Sequence, residues 1–444
     1  MRILGIESSC DETSAAVIED GQRLLSNVVN SQIDIHAVYG GVVPEVAARS
    51  HLEVILPVIQ KALDDSSSTW DDIDAIAVTY APGLVGSLLI GSLAARTLAL
   101  LKNKPLVPVH HVEGHVYANF IVEEGLTPPL DSEINSPSSP HPLKLAQSAR
   151  DLPHMQPKFP ILALIVSGGH SQLVLFRGHG DYELLGQTQD DAVGEAFDKV
   201  AKIIGLPYPG GPSVAKAAEN GDPKAYEFPK AKLQCPPGCT HTLAGRADDG
   251  SQNNLQPKTD QADLQSEQQP LSGLARSRSD ESLSAKSGRQ SCMRYSFSFS
   301  GLKTAVLRAV QREVGVDHTF PSTQLAARLN ASQRDNFAAS FQRVAIETLV
   351  EKTIKAYHDL SPASVVIAGG VAANQELRRQ LAEALPIPIE YAPMNLCTDN
   401  AAMIGALGYY MFEAGLARDP RDVEVVPSLS MTKTSWALTT LINN

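Results

Sequence analysis

The stretch His110-His111-Val112-Glu113-Gly114-His115 places two imidazoles, His111 and His115, four residues apart. On a helix that spacing projects both rings from one face, where they can share a metal ion. No glutamate follows the first histidine of the pair, so the HExxH arrangement of zinc peptidases is missing. The three histidines crowd the turn after an apolar run, Leu106–Val109, the end of a strand where ligands of α/β proteins gather. Ordinary surface or capping histidines would show the same spacing. The best third ligand is Asp399 in Cys397-Thr398-Asp399-Asn400-Ala401, at the start of a small-residue helix expected over Ala401–Leu407, where a carboxylate can also serve as a plain cap. Two imidazoles and one carboxylate with open positions suit Fe(II), Mn(II) or Zn(II) better than Mg(II).

Three diglycines follow apolar or rigid segments: Ser167-Gly168-Gly169, Gly210-Gly211 and Gly369-Gly370. Singly each is a tight turn; together they suggest backbone amides wrapped round a nucleotide. Asp191, Glu195 and Asp198 fall on one face of a helix expected in DDAVGEAFDKVAKIIG, either a solvated acidic face or ribose or metal contacts. Ser300 is expected to cap the helix of Ser300-Gly-Leu-Lys303, and the run Arg294–Arg343 is a candidate basic surface for RNA. Cys235 and Cys239 with His241 make only a weak metal pattern.

The elements that must hold these groups alternate strand and helix. Ile3–Ser8 and Ala15–Ile18 read as a hairpin, followed by a helix over Pro44–Asp64, a strand over Asp74–Val78, a helix over Leu84–Lys102, and a strand over Leu106–Val109 leading into a helix from His110. A weak repeat links Ile3–Ile18 with Ile161–Phe176: strand, small-residue turn, strand. Two such hairpins facing each other would clamp phosphates across a cleft. This is the layout of the actin–hexokinase–Hsp70 class, two duplicated α/β domains around a nucleotide cleft.

Residues 124–158, rich in Pro and Ser, and 231–293, rich in Gln, Ser, Asp and Gly, break the pattern and read as inserted surface loops without enough apolar material to order themselves. The second carries seven Lys/Arg and seven Asp/Glu, so it is not a basic arm. The rest of the 444-residue chain divides into 1–123 as a first α/β unit, 159–230 with 294–414 as a second, and 415–444 as a C-terminal extension. With 43% hydrophobic residues the chain can bury sizeable cores. Its formal net charge of −12 argues against gripping nucleic acid by charge alone. Five scattered cysteines and a start directly into a strand suggest a reducing, cytoplasmic setting. The apolar Leu84–Leu101 stretch, interrupted by Arg96 and small residues, is expected to be a buried helix and not a membrane span.

Taken together, GIESSCDETSAAV, HHVEGHVYAN, VSGGHSQLV, DDAVGEAFDKVAKIIGLPYPGGP, FSFSGLKTAV, GGVAANQELR and CTDNAAMIGA, in this order, resemble the TsaD family of tRNA N6-adenosine threonylcarbamoyltransferases, once called O-sialoglycoprotein endopeptidases. The resemblance covers roughly residues 1–123, 159–230 and 294–414. It implies an actin-like ATPase fold and transfer of a threonylcarbamoyl group from threonylcarbamoyl-adenylate to N6 of the adenosine 3′ to the anticodon, in tRNAs that read codons beginning with A. By the same resemblance His111, His115 and Asp399 are metal ligands, with Fe(II) the usual ion and Zn or Mg as alternatives. Ile165, Val166, Ser167, Gly168, Gly169, Asp198, Gly211 and Asn374 match substrate contacts. Asp11 and Glu12 match an acidic pair at the phosphate end of the cleft, and Asp11 is a candidate to take the proton from the attacking amine. The implied partners are tRNA, a shorter TsaB-like paralogue, a TsaE-like P-loop ATPase and the enzyme that makes the adenylate. Rival readings are a metal-dependent peptidase, a sugar or carboxylate kinase of the same fold class, and a nucleotide-binding scaffold without turnover.

Overall fold

The computed structural model describes residues 1–122, 156–233, 293–431 and 436, so the two expected inserts and the Cys235–His241 pattern lie almost wholly outside the described residues. Among these residues are two five-stranded mixed sheets. The first holds β1 (Arg2–Glu7), β2 (Glu12–Glu19), β3 (Arg23–Ser31), β4 (Ala75–Ala81) and β5 (Leu106–His110) in the order β3-β2-β1-β4-β5. The second holds β6 (Ile161–Val166), β7 (Ser171–Gly178), β8 (Asp181–Gln187), β9 (Ser364–Ala368) and β10 (Ile389–Tyr391), in the order β10-β9-β6-β7-β8.

The two orders are the same plan used twice. In each sheet three consecutive strands form an antiparallel meander, and two later strands add in parallel to the first of them. The hairpin repeat between Ile3–Ile18 and Ile161–Phe176 is therefore the visible part of a whole-domain duplication of the actin-like kind. The central strands β4, β6 and β9 are buried along their full length, which explains why they read as unbroken apolar runs: both faces of a parallel sheet are covered by helices.

On one face of the first sheet, Leu4, Ile6, Ala15 and Val17 form a core with α2 (Pro44–Asp65) and α3 (Val85–Lys102). Helix α3 departs from the expectation of full burial. One side packs on β4 and α2, while Val85, Leu93, Leu100 and Leu101 are exposed, beside exposed Leu52 and Leu56 of α2. Among the described residues it is the helix long and apolar enough to cross a bilayer, with 33% of its apolar window buried.

The other face is covered by α11 (Ala401–Glu413), although its sequence lies among residues otherwise belonging to the second sheet. Gly5 makes that approach possible: a Cβ there would sit 2.2 Å from the Ala401 carbonyl oxygen. Ser14 Oγ accepts a 2.9 Å hydrogen bond from Ala401 N, tying the helix start to β2. Residues after α11 return along the first sheet, with Arg418 N donating to Leu106 O, Val426 N to Tyr80 O and Gly83 N to Pro427 O.

Candidate active site and metal centre

Helix α4 (His111–Tyr117) leaves the end of β5 without a break, so the strand fixes where its first turn begins. Gly114, between the two histidines, lets α4 close on α11; a Cβ there would meet Ile404 Cδ1 at 3.0 Å. This contact brings together groups nearly three hundred residues apart. His111 Nε2 lies 3.5 Å from Asp399 Oδ1 and His115 Nε2 lies 3.3 Å from the same oxygen. The two rings meet edge to face with centroids 4.7 Å apart. One ligand atom from each of the three residues falls within 4.8 Å of the others.

The donor set fits a divalent ion. His115 is buried; its Nδ1 has no hydrogen-bond partner and its Nε2 meets only the Asp399 oxygen, an arrangement that is costly unless something else engages the ring. The cap expected of Asp399 is made by its neighbour: Asn400 accepts a 3.1 Å bond from Met403 N, and Asp399 is left to face the histidines. His111 is held from behind. Its Nδ1 lies 3.1 Å from Glu7 Oε2 and 3.2 Å from Ser9 Oγ, and Thr79 Oγ1 donates to the same Glu7 oxygen. Burial favours a neutral His111 ring, yet Asp399 and Glu7 outweigh it and lift the imidazole to about 9. Burial opposes ionisation of Asp399 too, but the positive character of His111 and His115 holds it well below the usual carboxylate range.

Glu7, Ser9 and Thr79 were invisible as site residues in the sequence. The one available signal was an acid ending an apolar strand, Ile6-Glu7-Ser8, where burial demands a partner.

Asp11 and Glu12 sit at the β1–β2 turn. Burial, then Asp399 and Asp11, push the Glu12 carboxyl up to about 10 in the metal-free site. Across from them Asp198 accepts a 2.7 Å bond from Gly210 N. Burial raises the Asp198 carboxyl, and Asp11 adds to the rise.

The three acids expected on one helix face separate. Helix α5 begins only at Val193 and ends at Ile204, so Asp191 precedes it; Asp191 and Glu195 both pair with Lys199 at 2.7 Å, while Asp198 alone turns to Gly210. Asp190 also takes the role expected of Ser300. Its Oδ1 accepts from Phe299 N and Ser300 N at the start of α7 (Ser300–Glu313), and its Oδ2 accepts from the Ser298 and Ser300 hydroxyls.

Ile165 and Val166 are buried in β6 and aim the turn Ser167-Gly168-Gly169, where His170 N donates to Ser167 Oγ at 3.2 Å. The diglycines divide by role. Gly369 has φ +88° and a Cβ would strike Val166 O at 2.5 Å, so this backbone lies directly on the β6 end. Gly168, Gly169 and Gly211 instead border open space. Asn374 caps α9 (Gln375–Ala384) through Leu377 N and donates its amide to Gln342 Oε1 at 3.0 Å, so its side chain is already engaged on both sides. The Arg294–Arg343 run is less basic than its composition: Arg294 pairs with Asp359, Lys303 with Asp191 and Arg343 with Glu347.

Similarity to known proteins agrees with this geometry. The family model described as TsaD: tRNA N6-adenosine threonylcarbamoyltransferase matches residues 23–132, 141–248 and 243–406. The chain belongs to that family. A tRNA N6-adenosine threonylcarbamoyltransferase of Symbiobacterium thermophilum is 44% identical over 432 residues, covering 97% of this chain and 96% of its own. One of Thermomicrobium roseum is 42% identical, covering 94% of each. Among solved structures, a ROK hexokinase from Thermus thermophilus aligns over 94% of this chain and 99% of its own, at 15% identity and a TM-score of 0.36. The chain is thus a transferase that modifies tRNA adenosine at N6, and the peptidase and kinase readings fall away.

Proposed function

We propose that the threonylcarbamoyl group is taken from threonylcarbamoyl-adenylate and delivered to the adenosine 3′ to the anticodon in tRNAs reading codons that begin with A, with Fe(II) at His111, His115 and Asp399. The observation that carries this reading is the meeting of the triad with the two glycine turns of the second sheet: α4 packs against β6 and β9, and Thr398, next to Asp399, lies against Gly370. A divalent ion held there would supply a Lewis acid to a donor carrying a phosphate and an activated carbonyl.

The chain's own groups have separable tasks in this reading. Backbone amides of Gly168 and Gly169, with Gly211 and Asp198, receive the adenylate, because open space borders those glycines, while the Ser167 N–H closes the turn on the His170 carbonyl oxygen. Asn374 contributes by holding the start of α9 and not by a free side chain. Asp11 and Glu12 serve the phosphate end of the cleft, where the two carboxyls sit together at the β1–β2 turn. The exocyclic amine of adenosine is a weak nucleophile, so orientation and charge neutralisation must supply most of the acceleration.

The −12 charge and the paired cations of the Arg294–Arg343 run favour help from other proteins in capturing a polyanion. The exposed apolar face of α2 and α3, with Leu52, Leu56, Val85 and Leu93, suits a shorter paralogue of this chain as the partner. A TsaE-like ATPase and the adenylate-forming enzyme complete the system in a cytoplasmic setting. The test is an assay of the purified chain with threonylcarbamoyl-adenylate and tRNA, with and without those partners. Slow transfer accelerated by partners is expected; an unmodified adenosine under every condition refutes the reading.

A further inference from the structure

Helix α2 packs on the first sheet through a buried stripe that includes Ala47, Ile55, Val58 and Ile59, and one position of that stripe is taken by His51. A leucine would pack there without needing partners. An imidazole buried among aliphatic side chains is costly unless its nitrogens are bonded. Both nitrogens of His51 are: Nε2 lies 3.0 Å from the Cys10 carbonyl oxygen, and Nδ1 lies 2.7 Å from Thr13 Oγ1 and 3.4 Å from Gln32 Nε2. His51, Thr13, Gln32 and His36 are all completely buried.

Donors and acceptors in this group run one way. Val43 N, which can only donate, lies 3.3 Å from His36 Nδ1, so the His36 ring hydrogen is on Nε2 and is given to Gln32 Oε1 at 3.1 Å. That fixes the Gln32 amide with its NH2 group towards Ala47 O and His51 Nδ1. His51 Nδ1 is then an acceptor and the ring hydrogen sits on Nε2, as the Cys10 carbonyl independently requires. Burial holds the ring below the ordinary histidine value and so keeps this neutral form. The chain of bonds ends on the β1–β2 turn. Ser87 Oγ donates to the same Cys10 oxygen at 3.1 Å, Gln32 N to Asp11 O at 3.1 Å, and Leu84 N to Ser9 O at 2.8 Å. Three successive carbonyls of the turn are thereby engaged by α2, α3 and Gln32. Each peptide is planar, so the following N–H groups, of Cys10, Asp11 and Glu12, point away from those donors. Among the described residues neither Cys10 N nor Asp11 N donates to an acceptor, and Cys10 is partly exposed.

We propose that His51 is a positioning residue of the transferase: by donating Nε2–H to the Cys10 carbonyl, which it shares with Ser87, it fixes the conformation in which the β1–β2 turn, with Asp11 and Glu12, meets the phosphate of the adenylate donor. This rests on the donor reading above. The turn has an electrostatic problem to solve there, because two carboxyls by themselves repel a phosphate. Backbone amides left unengaged on the turn offset that repulsion, and they stay on the side away from α2 and α3 only while the carbonyls are held. The same segment carries Glu7 and Ser9 against His111. A strand end anchored at residues 7 and 9 on one side and at residues 9 to 11 on the other keeps the phosphate end in register with the His111 ring.

The test compares His51→Gln with His51→Met in the full metal-loaded chain, with partners added for turnover. Gln and Met are nearly equal in size, but only Gln keeps an N–H for the Cys10 carbonyl. His51→Met is expected to bind a non-hydrolysable threonylcarbamoyl-adenylate analogue about tenfold or more weakly, the size of one lost hydrogen bond to a charged group, and to show a matching rise in KM for the donor. His51→Gln is expected to recover most of that affinity. KM for tRNA and metal content should match the unaltered chain in both. A packing role alone would lower the amount of folded enzyme, and so kcat, and leave both KM values where they were. If His51→Met does not fold, Ser87→Ala decides: it removes the second donor to the same carbonyl and is expected to weaken the analogue about threefold or more, with KM for tRNA unchanged. Undiminished analogue affinity in the deciding variant, or His51→Gln as weak as His51→Met, overturns the proposal. An unaltered chain that does not bind the analogue overturns the donor reading and this proposal together, whereas binding that His51→Met leaves intact removes only the role of His51.

Discussion

Glu7 Oε2 lies 3.1 Å from His111 Nδ1, and this contact sets the direction of the His111 ring from a strand in a different part of the chain. Glu7 is completely buried, and its other oxygen, Oε1, accepts from Ser9 N. Burial works against its charge, but His111 holds its carboxyl below the ordinary range. The ring therefore presents Nε2 towards Asp399.

Glu7→Gln keeps the shape and removes the charge. Metal affinity is expected to fall about 10–100-fold, the usual cost of losing a carboxylate behind a ligating histidine. Competition against a chelator measures it. Unchanged affinity would mean that His111 needs no such support.

Asp399 and Asn400 are neighbours with different tasks, and substitution should separate them. Asp399→Ala, like His111→Ala, is expected to abolish bound metal and transfer while leaving the chain folded, since neither is a cap. Asn400→Ala should cost about 1 kcal/mol of stability, because it removes the side chain that caps α11. Metal analysis and thermal melts on the same preparations distinguish the two; full metal occupancy in Asp399→Ala removes it from the ligand set.

Metal binding should depend on pH in a definite direction. With His111 lifted to about 9 in the metal-free site, an incoming ion displaces a proton throughout the neutral range. Affinity is expected to rise about tenfold per pH unit up to about 9 and then level off, for one proton released. Without metal the linkage runs the other way: the raised value contributes stability that is fully present below the ordinary histidine range near 6.5 and lost as pH rises through about 9. Titration calorimetry in buffers of different ionisation enthalpy counts the proton, and a flat profile would contradict the His111–Asp399–Glu7 arrangement.

Leu52→Glu with Leu56→Glu charges the apolar face of α2. These side chains are 66% and 59% exposed, so the fold should tolerate the change within about 0.5 kcal/mol. Association with the shorter paralogue is expected to weaken by at least tenfold while metal content stays the same. Analytical ultracentrifugation checks this; undiminished association would move the partner surface elsewhere.

Much of the architecture was legible in the sequence because it rests on local patterns. Buried parallel strands read as apolar runs, the β1–β2 and β6–β7 hairpins repeat visibly, and the His111–His115 spacing declares a shared helix face. Motif order went further and gave the family. Tertiary structure decided what depends on approach between distant segments. Asp191, Glu195 and Asp198 look equivalent on a helical wheel, but the helix starts two residues after Asp191, so lysine pairing takes two of them and Gly210 takes the third. Asp190, not Ser300, serves the start of α7, a bond across more than a hundred residues that no spacing rule contains.

The triad shows the same division. Residue types in the sequence determined that His111, His115 and Asp399 could bind a metal; whether they meet depended on α11 crossing back to the first sheet, which Gly5 and Gly114 permit by having no side chain. Glu7 behind His111 acquires meaning only there. A buried polar atom's need for a partner is set by what surrounds it in space, and the linear chain carries no record of those surroundings.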